Sequence, residues 1–140
     1  MERSEDITLL FANWNRAQAQ TKTAALLTQY AGRIELIIAN NDDMALGAID
    51  ALRDSKIPKE DWSGVVGIDG TDVGLAAVKR GEMIGTVYND KEGQAKGMLE
   101  LSFTLATGGN LEDLNLEDGK YIRMPYAKVG PDDVDEYLDR

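Results

Sequence analysis

The chain has 140 residues, of which 43% are hydrophobic and 29% charged, the balance of one globular domain. Its 25 acidic residues outweigh 15 basic ones to give a formal net charge of −10, and no basic stripe interrupts them, which argues against nucleic acid as a partner. Cysteine and histidine are both absent, which removes thiol and imidazole catalysis, serine–histidine triads and most zinc sites.

The chain opens on Met1-Glu2-Arg3-Ser4-Glu5-Asp6, an acidic stretch unlike a signal peptide, and no apolar run approaches the roughly 18–20 residues that span a bilayer. Ile7-Thr8-Leu9-Leu10-Phe11 predicts a first strand. A helix follows over 15–30, with Ala17, Ala24, Leu27 and Tyr30 near one face and Gly32 as its stop. Ile34-Glu35-Leu36-Ile37-Ile38-Ala39 predicts the second strand, and residues 44–52 the core of a second helix.

After a surface loop over 56–63, where Trp62 covers the core, Gly64-Val65-Val66-Gly67-Ile68 predicts a third strand. The helix after it ends near Arg80-Gly81. Residues 83–88 predict a fourth strand and 90–107 a long helix stopped by Gly108-Gly109. The tail adds a strand at Tyr121-Ile122-Arg123-Met124 and a helix over 132–138. This alternation predicts an α/β fold, a parallel sheet with right-handed crossovers and helices on both faces.

Ligands of open parallel sheets sit beyond the carboxyl ends of the strands. There the sequence places Trp14, Asn40-Asn41-Asp42, Asp69 and Asn89-Asp90. An aromatic plane with short amides and carboxylates suits a sugar, whose C–H face packs on an indole while its hydroxyls need donors and acceptors. The same residues also suit helix capping: Asn41 precedes one helix, Asn89 with Glu92 forms a capping box, and either Asp69 or Thr71 serves the third. No phosphate-binding glycine pattern occurs.

Several stretches resemble a known family: Asn13-Trp14-Asn15-Arg16-Ala17-Gln18-Ala19, Ile34 through Ile-Ala-Asn-Asn-Asp at 38–42, Val66-Gly67-Ile68-Asp69, Gly85-Thr86-Val87-Tyr88-Asn89-Asp90 and Arg123-Met124-Pro125-Tyr126. They look like the later half of the periplasmic galactose/glucose-binding proteins of sugar ABC importers. The resemblance implies an incomplete type I periplasmic-binding-protein lobe with three layers. Residues 1–88 would form the partial sugar-binding lobe, 89–120 a segment crossing to the other lobe, and 121–140 a strand and helix returning.

By resemblance Trp14 stacks on the sugar, while Asn41, Asp69 and Asn89 bind its hydroxyls. Glu35 resembles the carboxylate completing the family's calcium site. The loop supplying the other ligands is absent, so calcium is implied for a full-length relative and not for this chain. Arg16 and Gly70-Thr71-Asp72 depart from the family's pattern, which leaves the sugar unspecified. The implied function is non-enzymatic binding of a galactose- or glucose-like monosaccharide for ABC import or chemoreception, in the periplasm or as an extracellular lipoprotein. The alternatives are the effector domain of a lac-repressor-like regulator and, further off, a glycosidase using Asp69. The apolar face Ala95, Met98, Leu99 and Phe103 of the long helix implies self-association when the other lobe is missing.

Overall fold

Three apolar runs of the sequence become neighbouring parallel strands, because each is joined to the next by a helix that packs back on the sheet. The computed structural model describes residues 7–30 and 32–138. The strands are β1 (Leu36–Ile38), β2 (Gly64–Asp69) and β3 (Gly85–Asn89), and a fourth, β4 (Tyr126–Val129), runs antiparallel beside β3. The helices are α1 (Arg16–Tyr30), α2 (Asp42–Asp54), α3 (Asp72–Lys79), α4 (Lys91–Thr107) and α5 (Val134–Leu138).

α2 anchors the core. Ala45, Leu46, Ala48, Ile49 and Leu52 recur at helical spacing and are all buried. Asp42 and Asp43 in its first turn and Arg53 in its last complement the helix dipole. Ile49 and Leu52 join a cluster with Val65, Leu75, Met83 and Val129. Trp62 packs against this cluster, and its indole N–H donates to the Ile57 carbonyl at 2.9 Å.

The lobe is incomplete in a visible way. Ile37 pairs with Val65, and that face of the sheet meets the core. The alternating residues Leu36 and Ile38 point to the other face and stay 48% and 71% exposed among the described residues.

Some expected elements differ. Residues 7–11 form no strand: they carry no ladder, and Ile7, Leu9 and Phe11 are exposed, since a strand needs a neighbour to bond to. The acidic opening, 1–6, lies outside the described residues. In α1 the buried stripe is Ala19, Thr23 and Leu27, whereas Ala17 and Ala24 face solvent. That stripe follows the contact with α2, where Gly47 lies against Ala19. The tail strand begins at Tyr126, not Tyr121. Residues 121–124 instead lie along α4, with Ile122 and Met124 against Gly97 and Met124 also against Gly93.

Candidate functional site

The register of the sheet brings three of the predicted residues to one rim. Ile38 pairs with Val66, so Asn41 and Asp69 each lie three residues beyond a paired position. Asp69 pairs with Tyr88, and Asn89 follows by one. Neighbouring strands stand about 4.8 Å apart, so these three side chains begin from adjacent positions at the carboxyl edge.

Trp14 reaches the same end by a different route. α1 runs alongside α2 in the same direction: Arg16 bonds Asp50 at 2.7 and 3.0 Å, and Gln20 bonds Asp54 at 2.8 Å. Trp14, two residues upstream of Arg16, therefore lies toward the end of the molecule where α2 begins. It sits in a tight turn with positive φ at Asn13 and Trp14, closed by Asn15, whose Oδ1 accepts from the Gln18 amide at 2.9 Å. The indole is 70% exposed.

Capping and ligand roles separate in the structure. Asn41 is the N-cap of α2: its Oδ1 accepts from the Met44 amide at 2.9 Å, which leaves its Nδ2 as a donor. Asn89 does not cap α4. Asp90 does, accepting from the Gly93 amide at 3.0 Å, because the strand continues through Asn89 and the helix starts one residue later than a capping box there requires. Asn89 Oδ1 instead accepts from Gln94 Nε2, which again leaves an amide nitrogen to donate.

Asp69 is likewise relieved of capping, since Thr71 caps α3 through the Gly74 amide at 3.1 Å. It is half-buried and has φ of +118°, a strained backbone for a residue with a side chain, costing about 1–3 kcal/mol. Partial burial, then the charges of Asp42 and Asp43, hold its carboxyl above the ordinary aspartate range. The rim thus offers a carboxylate acceptor between two amide donors, with an exposed indole at the same end.

The residue that sequence reasoning undervalued is Asp42. It is fully buried, and its carboxylate accepts from the Thr71 amide (2.7 Å), the Thr71 hydroxyl (3.0 Å) and the Thr86 hydroxyl (2.6 Å). The available signal was the pair Gly67 and Gly74, where any side chain would overlap the Asp42 carboxyl.

Glu35 stands at the opposite end of β1, its side chain exposed and its carbonyl accepting from the Gly64 amide at 2.9 Å. Among the described residues no three acidic, histidine or cysteine side chains are grouped to hold a metal. One carboxylate does not fit calcium, which takes six to eight oxygens. A hollow lined by Leu27, Ala51, Asp54 and Ile57 lies at the far ends of α1 and α2, remote from the strand-end rim.

Residues 2–110 match the family described as periplasmic binding protein domain. The D-galactose/methyl-galactoside binding periplasmic protein MglB of Haemophilus influenzae is 36% identical over 131 residues, covering 89% of this chain and 38% of the relative. A putative rhizopine-binding protein of Rhizobium meliloti is 42% identical, covering 90% of this chain and 38% of its own length. An ABC transporter solute binding protein from Bacillus halodurans, solved with bound myo-inositol, superposes with a TM-score of 0.75 at 32% identity, covering 91% of this chain and 41% of that one. The chain therefore spans about two-fifths of these relatives' length.

Proposed function

The chain belongs to the periplasmic binding protein domain family, and on that premise we propose that it supplies one wall of a cleft for a neutral monosaccharide or cyclic polyol. The observation that carries this reading is the rim itself: Asn41, Asp69 and Asn89 at three adjacent strand ends, with an exposed Trp14 at the same end. An indole face covers the C–H face of a sugar ring. Asp69 accepts from hydroxyls, and the amide nitrogens of Asn41 and Asn89 donate to them.

In the whole protein a second lobe closes over the ligand, whose contacts favour the closed arrangement. The closed form docks on the membrane subunits of an ABC importer or on a chemoreceptor, in the periplasm or as an extracellular lipoprotein. The output is recognition and delivery, and no bond of the sugar breaks. Galactose or glucose is the specific ligand this reading favours, supported by the MglB relative. The myo-inositol-bound structure makes cyclic polyols the competing class.

Trp62→Phe leaves Trp14 as the one tryptophan of the two. Its fluorescence, titrated with galactose, glucose, xylitol and myo-inositol, is expected to change saturably with at least one of them. A flat response to all four would overturn the reading.

A further inference from the structure

We propose that Asp42 is the positioning residue of this rim: it touches no ligand, and it fixes the direction in which Asp69 is presented. The inference rests on the polyol-binding reading for its purpose, while its geometry stands independently.

Asp69 holds a backbone conformation that side chains rarely adopt, so the surrounding structure must enforce it. On its upstream side the residue is the last paired position of β2, in register with Tyr88. On its downstream side Gly70 lies so close to Tyr88 that a Cβ there would collide with it. Thr71 then gives both its amide and its hydroxyl to one oxygen of Asp42. The chain is thus pinned two residues after Asp69, and the strained turn is the only span between two fixed points.

The other oxygen of Asp42 takes the Thr86 hydroxyl of β3, the strand that ends in Asn89. The residue before Asp42 is Asn41 itself. One buried carboxylate therefore ties together the three segments that carry the three polar ligand groups. Gly67 and Gly74 leave the room it occupies.

The test uses the full chain and reads the backbone apart from the ligand. At a φ of +118° the amide-to-α-proton coupling of Asp69 in the NMR spectrum is small, and it becomes large if the residue relaxes to extended backbone. In Asp42→Leu two methyls replace the two oxygens, so the Thr71 amide and hydroxyl and the Thr86 hydroxyl all lose their acceptor and the clamp fails. The coupling is expected to rise and the polyol response to weaken by about tenfold, the loss of roughly one hydrogen bond to a charged group. Thr71→Val, which keeps the amide and removes the hydroxyl, should shift both readouts in the same direction, and Thr71→Ser should restore them. This pair keeps the test alive if Asp42→Leu does not fold. A folded Asp42→Leu with the wild-type coupling at Asp69, or a Thr71→Ser no better than Thr71→Val, would overturn the proposal. A wild-type chain with the small coupling but no polyol response would sink the binding reading and leave the positioning role standing.

Discussion

The junction of α2 with β2 and β3 is built from residues similar to those of two other surfaces, α4 and the outer face of β1, and ends in the opposite condition. At the junction Ile49, Leu52, Val65 and Leu75 are sealed, and even the carboxylate of Asp42 has every bond it needs. At those two surfaces Ile38 and, on α4, Met98, Leu99 and Phe103 stand exposed, and Gly97 is the one buried residue of α4. The rim rests on a support that is sealed, whereas the apolar residues of α4 and of the outer face of β1 stand uncovered among the described residues.

The largest effect expected from this contrast is on stability. Leu52→Ala should destabilise the chain by about 2–5 kcal/mol in urea unfolding, whereas Phe103→Ala should stay within about 0.5 kcal/mol. Equal losses at both positions would erase the distinction.

A smaller effect separates the cap of α2 from its ligand role. Asn41→Asp keeps the capping oxygen and should hold stability, while Asn41→Ala should lose about 1 kcal/mol. Both remove the Nδ2 donor, so both should weaken the polyol response. The exposed residues of α4 make a further prediction: sedimentation should reveal concentration-dependent association that Phe103→Lys reduces. A monomer at every concentration would count against it.

The subtlest test concerns pH. Asp69 has a folded-state pKa above its unfolded value, so the folded chain binds the proton more tightly. Its ionisation therefore opposes folding above the folded value and has no effect below the unfolded one. Asp69→Asn should gain stability as pH rises through that window and match wild type in acid. A gain confined to acid would reverse the sign.

How much of this was legible follows the same division. The runs at 64–68 and 83–88, flanked by turn residues, announced β2 and β3 because a core strand is apolar on both faces. Asn41 and Thr71 were readable as caps from local chemistry alone. The segment 7–11 has the composition of a strand, but composition cannot supply the neighbour that a ladder requires. The face of α1 was read correctly at Leu27 and missed at Ala19, because apolar residues occur all round that helix and Gly47 of α2 selects Ala19. Asp42 looked like one of several polar residues in a row. Its importance lies in Thr71 and Thr86, which are distant in sequence and meet it only in the fold.

The central claim is that three strand ends and an indole face one ligand together. Backbone amide resonances of Trp14, Asn41, Asp69 and Asn89, with the Trp14 indole N–H and the side-chain amides of Asn41 and Asn89, followed while galactose, glucose or myo-inositol is added, test it most directly. The account predicts that the four move together with one apparent affinity in the millimolar range, since each hydroxyl left without a partner by the missing wall costs about 1–3 kcal/mol. Shifts scattered over unrelated surfaces, or tight micromolar binding by this chain alone, would contradict it.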